Sequence, residues 1–169
     1  FKQFCGGETI QECDSTINEL YKFGIGTILD YSVEGNDSPL SHDLTTNEII
    51  RTINRAQNDP SIPFAVFKLT GIARFSFLEK LNAGEADLNE DEWEEYSYIM
   101  RRVENICIAA HTAQIPVFVD AEDYCVQNAI DKIVWKMMQK YNTEKAIIYN
   151  TIQAYRVDRL DYLKNIHKE

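Results

Sequence analysis

The side chains best suited to chemistry stand at the carboxyl ends of apolar runs. Lys68 and Thr70 follow Phe64-Ala-Val-Phe67, and Asp120, Glu122 and Asp123 follow Pro116-Val-Phe-Val119. Thr151 and Gln153 follow Lys145-Ala-Ile-Ile-Tyr-Asn150, and Asp30, Ser32 and Glu34 close a run that opens at Gly26. Charged groups beside buried runs cost free energy unless they are paired, so their recurrence at corresponding ends requires a reason. Lys68 could form a structural ion pair with Asp30 or Asp120. Its amine could equally form a Schiff base with a carbonyl substrate, with Asp120 as proton shuttle. Asp120 could also cap the helix that follows it, a role open to Glu122 and Asp123 as well. No member decides the matter alone; the constellation marks the site.

Such residues meet only if the elements bring their ends together. Helical spacing of Ile10, Ile17, Leu20, Tyr21 and Phe23 predicts a helix over 9–23, with Thr9 and Glu12 spaced as a capping box and Gly24 at its exit. Gly26 to Val33 reads as a buried strand, and the polar stretch Glu34 to Thr46 as a loop. Asn47 to Asn58 is expected to be helical, burying Ile49, Ile50, Ile53 and Ala56. Pro60 and Pro63 close it, and Phe64 to Thr70 is the second strand. Short helical pieces follow around Phe75 to Ala83. A long helix from about Glu90 to Thr112 has Asp87 or Asn89 as its cap and an acidic first turn suited to the macrodipole. Pro116 to Asp120 is the third strand, Tyr124 to Tyr141 a helix, Lys145 to Asn150 the fourth strand, and Asp158 to Ile166 a last helix.

That alternation, with strands too apolar for a one-sided sheet, predicts an α/β fold with a parallel sheet and helices outside it. Period-two alternation puts Val66, Lys68 and Thr70 on one side, as it does Phe118, Asp120 and Glu122, and Tyr149, Thr151 and Gln153. We assign all three sets to the interior of a (β/α)8 TIM-type barrel, whose active sites lie at the carboxyl ends of its strands.

Composition narrows the rest. The 169 residues are 44% apolar and 11% aromatic, enough for a single domain over 1–169 with a real core. A net charge of −10 argues against a nucleic-acid partner, which needs a concentrated basic face. No run approaches the ~20 apolar residues of a membrane span. No glycine-rich dinucleotide fingerprint follows a strand, and no phosphate-binding loop is present. Cys5, Cys13, Cys107 and Cys125 form no C-x-x-C pair, and His42, His111 and His167 lack metal-ligand spacing. Reduced thiols in an intracellular protein are expected.

Five segments in order resemble the proline dehydrogenase family: Phe4-Cys-Gly-Gly-Glu8, Gly24 to Glu34, Phe67-Lys-Leu-Thr-Gly71, Val117 to Asp123, and Tyr149 to Tyr155. The resemblance spans essentially the whole chain. It implies a distorted (β/α)8 barrel that binds FAD and oxidises L-proline to 1-pyrroline-5-carboxylate, with electrons passed to a quinone. By motif, Lys68 matches the lysine that faces the substrate carboxylate, and Asp120 the active-site aspartate. Ala121 matches a flavin-contacting position, through its backbone or its small side chain, and Gln153 a glutamine that hydrogen-bonds the flavin.

The family's fifth-strand arginine and its carboxyl-terminal Y-x-x-R-R motif have no counterpart here; Tyr155-Arg156 is not that motif. A whole barrel takes ~250 residues, so the chain is expected to supply the first four β/α units, and its start at Phe1 reads as a fragment or a processed product. Alone it is expected to be inactive and to associate through its open edges, or to need the carboxy-terminal half-barrel. The parent is expected in the cytoplasm or peripherally on an inner membrane, mitochondrial if eukaryotic. Beside this stand a Schiff-base aldolase built on Lys68 and a non-catalytic, partner-binding fragment.

Overall fold

In the computed structural model, residues 5–31, 37–85 and 88–168 are described. Four strands form one parallel sheet in the order β1-β2-β3-β4: β1 (Ile28–Leu29), β2 (Phe64–Phe67), β3 (Val117–Val119) and β4 (Ile148–Asn150). The helices are α1 (Ile10–Tyr21), α2 (Pro39–Ala56), α3 (Phe75–Ala83), α4 (Glu90–Ala113), α5 (Tyr124–Tyr141) and α6 (Arg159–Ile166). Sequential parallel strands joined through helices are the repeating unit of a (β/α)8 barrel, and the chain carries four such strands.

Alternation along the strands sets the two faces. Ala65, Phe67, Val117, Val119 and Ile148 turn outward and are almost fully buried beneath α2, α3, α4 and α5. The outer core is completed by Ile53, Leu78, Ile106 and Ile130, none of them exposed. On the inner face Phe64 stacks on Phe118 at 4.7 Å between ring centroids, and Tyr149 meets Phe118 edge-on at 5.5 Å. These inner residues are only half-buried. A separate small cluster, Ile17, Ala56 and Ile62, ties α1 to the amino-terminal side of the sheet.

Several expected boundaries move. The polar stretch placed in a loop up to Thr46 becomes helix from Pro39 on. Ser38 caps α2, its Oγ accepting the Ser41 N–H, and Pro39 fills the first turn, where its missing N–H costs nothing. Thr45, Thr46 and His42 face inward on that turn, so the buried side carries no apolar signal. β1 shrinks to two residues, paired among the described residues with β2 alone at the sheet edge; Ser32 and Val33 lie outside the described residues. β2 stops at Phe67, since Leu69–Gly71 tightens into a 3-10 turn. Pairing in β4 begins at Ile148 rather than Lys145.

Other signals hold as read. Thr9 caps α1 by accepting the Glu12 N–H, and Gly24 leaves that helix with φ of +73°. Asn89 caps α4 in a reciprocal capping box with Glu92, while Asp87 lies outside the described residues. α1 buries Ile17 but leaves Tyr21 and Phe23 exposed, contrary to their expected place on its apolar side. His42 is buried and His111 and His167 are exposed. All four cysteines are free thiols.

Candidate active site at the carboxyl ends of the strands

Register brings the chemistry together. β2 pairs with β3 through Val66 opposite Phe118 and Phe67 opposite Val119, so one step further Lys68 stands beside Asp120. The Asp120 N–H still donates to Phe67 O at 2.9 Å, and Lys68 keeps an extended backbone before the 3-10 turn begins. The Lys68 Nζ lies 3.3 Å from Asp120 Oδ2 and 3.4 Å from Asp30 Oδ2. Both ion pairs anticipated as alternatives are therefore made at once, from three adjacent strand ends. All three side chains remain between a third and a half exposed.

Burial pulls the Lys68 pKa down, but the Asp30 and Asp120 carboxylates outweigh it and hold the ammonium above its ordinary value. A lysine nucleophile needs the opposite, a depressed pKa that releases the free amine. The environment thus suits a fixed positive charge and disfavours the Schiff-base aldolase.

Asp120 does not cap α5. Its Oδ1 accepts the neighbouring Ala121 N–H at 3.1 Å, and the capping position falls to Asp123, whose side chain makes no cap bond. Glu122 is turned into the protein, accepting the Thr70 N–H at 3.1 Å and the Thr70 hydroxyl in a very short contact. Burial raises the Glu122 pKa, partly offset by those bonds and by Lys68.

Gln153 reaches back across the strand ends, and its Nε2 donates to Glu122 O at 2.6 Å. Its Oε1 accepts from Arg156 Nη1 at 3.3 Å, which leaves one N–H and one lone pair for a ligand. Thr151 Oγ1 donates to Val119 O at 2.9 Å, locking the end of β4 to β3.

Between these groups opens a cleft of about 530 Å³, lined among others by Tyr31, Lys68, Thr70, Ala121, Glu122 and Gln153. Lys68, Ala121 and Gln153, expected at one site, all line it, and Asp120 adjoins it through Lys68. Thr70 and Glu122 were legible as polar residues of the inward-facing sets, Glu122 also as a possible helix cap, but not as partners of each other. Tyr31 and Tyr155, which also line the cleft, lie inside segments resembling the family but carried no role legible in the sequence.

The fold is that of the parallel β/α barrel class, with polar groups from successive strands gathered at their carboxyl ends. The family profile "Proline dehydrogenase" matches residues 13–169, and the chain belongs to that family. It is 33% identical over 200 aligned residues to proline dehydrogenase 1, mitochondrial, of Dictyostelium discoideum, which covers 97% of the chain and 35% of that protein. It is 32% identical to the carbapenem antibiotics biosynthesis protein CarD of Pectobacterium carotovorum, covering 98% of the chain and 44% of the relative. The chain thus spans less than half the length of these curated relatives. The fold matches proline utilization A of Bdellovibrio bacteriovorus, solved after inactivation by N-propargylglycine, with a TM-score of 0.78 at 16% identity, covering 99% of the chain and 18% of that protein.

Proposed function

We propose that the chain forms one domain, the leading half of the barrel of a flavin-dependent enzyme that oxidises L-proline to 1-pyrroline-5-carboxylate. The observation that carries this reading is the Lys68 ammonium, held between Asp30 and Asp120 at the mouth of the sheet in a chain of this family.

The residues present fit FAD. A flavin needs a slot with apolar walls and a few amide-type partners. The cleft offers Tyr31 and Phe75 as walls, the small Ala121 where a larger side chain would intrude, and the free N–H and lone pair of Gln153. Ala121 and Gln153 are the residues that would hold it. When bound, FAD supplies the hydride acceptor for proline oxidation, and a quinone takes the electrons onward.

The chain's own groups bind and orient. Lys68 anchors the proline carboxylate by a charge-assisted hydrogen bond. Its Nζ already faces two aspartates at 3.3–3.4 Å, distances loose enough for a third oxygen to share the ammonium. Asp120, the catalytic carboxylate, fixes that ammonium with one oxygen and the Ala121 backbone with the other. Glu122 keeps the loop seated on Thr70, so the mouth does not collapse around the substrate.

Activity requires the remainder of a barrel. Among the described residues the outer edges of β1 and β4 carry no strand partner, and Phe64, Phe118 and Tyr149 are only half-covered. The isolated chain self-associates through these surfaces or is completed by a carboxy-terminal half-barrel. Among the described residues no helix is long and apolar enough to cross a membrane. We place contact with a quinone pool at the membrane surface, a mitochondrial inner membrane in a eukaryote.

The test is direct. The full natural polypeptide carrying this chain, purified, should show bound flavin and reduce a dye acceptor when given L-proline. A protein that binds no FAD, or whose Lys68 is trapped on a carbonyl substrate by borohydride, defeats the assignment.

A further inference from the structure

Behind the mouth lies a set of buried polar groups that none of the roles above employs. Gln127 sits in the first turn of α5 and is completely buried. An amide in such a place is tolerated only when both of its ends find partners. Its Oε1 accepts the Glu122 N–H at 2.7 Å, and its Nε2 donates to Asp131 Oδ1 at 2.8 Å. The orientation is unambiguous, because a backbone N–H demands an acceptor and a carboxylate demands a donor.

Asp131 is itself buried and holds Gln127 in place with help from two other elements. Asn150 Nδ2, at the end of β4, donates to it at 2.9 Å, and Arg159 Nη1, at the start of α6, at 2.5 Å. On the other side of Gln127, Glu122 offers its carbonyl to Gln153 and its carboxylate to Thr70. Glu122 is thereby gripped from α5, from the segment after β4 and from the turn after β2.

We propose that Gln127 is a positioning residue: it fixes the Asp120–Glu122 backbone and, through the Glu122 carbonyl, the Gln153 amide, in the geometry that flavin binding requires. This rests on reading the cleft as a flavin site. Gln127 reaches neither cofactor nor substrate; it acts through Glu122. Nonpolar replacement would strand the Glu122 N–H and one Asp131 lone pair, and the loop, being at the mouth, can turn outward to water to recover them.

The test uses the full natural polypeptide carrying this chain and two variants. Gln127→Met keeps volume and removes both bonds. Loss of one such hydrogen bond corresponds to roughly a tenfold effect. Amide exchange in residues 120–123, read by mass spectrometry, should accelerate about that much, with FAD affinity weakened by a similar factor and exchange in residues 129–138 unchanged. Gln127→Glu keeps the acceptor but sets a second carboxylate against Asp131, with Glu122 in the loop and Arg159 of α6 as the other charges nearby. Repulsion from Asp131 should swing the new carboxylate off the Glu122 N–H, so that at neutral pH this variant resembles the Met variant. Measured against the unaltered protein at the same pH, both readouts should recover as the pH falls and the new carboxyl takes a proton to donate to Asp131, a rescue that loss of packing would not produce. Unchanged exchange at 120–123, exchange that rises equally along all of α5, or unchanged FAD affinity in a loosened loop would each overturn the proposal. If the unaltered protein binds no FAD, the flavin reading fails separately, while the exchange measurement still decides whether Gln127 holds the loop.

Discussion

Replacing Lys68 by methionine keeps most of the side chain's volume and removes only its charge. The structure sets what should follow. Lys68, Asp30 and Asp120 are each more than a third exposed, so each ion pair contributes about 0–1 kcal/mol to stability. Without the ammonium the two carboxylates face each other within about 7 Å, a repulsion of about 0.6 kcal/mol in a water-like dielectric. The variant should therefore lose only about 1–2 kcal/mol of folding stability. Binding is a different matter. A charge-assisted hydrogen bond to the proline carboxylate is worth about 1.5–3 kcal/mol, or roughly a 10- to 150-fold loss in affinity. The two effects separate in one preparation, with chemical denaturation giving stability and anaerobic flavin reduction against L-proline concentration giving affinity. A variant whose proline affinity moves less than about twofold, where at least tenfold is expected, would refute the role given to Lys68.

Three further outcomes follow from the same coordinates. Asp120→Asn should lower the rate of flavin reduction about 100-fold while leaving FAD affinity in place, read by stopped-flow spectroscopy, because the Lys68 ammonium that orients the substrate loses a charged anchor. Asp131→Ala should cost about 3–5 kcal/mol in denaturant unfolding, because the buried Arg159 would keep only Asp158 and Asn128 while Gln127 and Asn150 each lose an acceptor, and the Asp131→Leu/Arg159→Met pair should regain part of it. Asp59 is held at a pKa of about 2, below its usual 3.8, by Ser61 first and then Arg55. A depressed carboxyl stabilises the fold above its unfolded pKa and loses that contribution as the pH drops from about 4 to about 2. Asp59→Asn should accordingly be less stable by about 1–2 kcal/mol at pH 7, with the difference gone near pH 2, as thermal melts across that range would show.

Long elements were legible because their periodicity is strong. The span read from Tyr124 to Tyr141 is α5 residue for residue, and of the side expected to be buried Ala129, Ile130, Ile133, Val134 and Met137 face the core while Met138 is only partly covered. α4 differs by one residue at its end. The start of α2 was hidden because Thr45, Thr46 and His42 fill its buried turn, so apolar spacing gave no signal; the Ser38-Pro39 cap was the signal available. Strand ends misled for another reason. Pairing depends on a neighbour, and neither the lone partner of β1 nor the 3-10 turn after Phe67 is written in local composition.

At the site, alternation placed Lys68, Asp120 and Gln153 at one mouth, since a period of two is fixed by the pleat. It could not show that one lysine serves two aspartates, because that depends on how adjacent strands line up. Gln127 and Asp131 left a fainter trace, a polar pair one helical turn apart on an otherwise apolar face, which geometry explains and periodicity treats as noise.

The alignment of β2 against β3 carries a cost for sequence change. The pairing of Val66 with Phe118 sends Phe67 and Val119 outward into the core and leaves Lys68 and Asp120 facing the cleft. Inserting or deleting one residue inside either strand would turn a charged group toward the helices and an aromatic ring out of its layer. Mispairing would therefore be punished by unfolding before it could be seen as lost activity. Length variation in this region should thus be confined to the connections between elements, and the short strands should tolerate exchange of side chains but not of spacing.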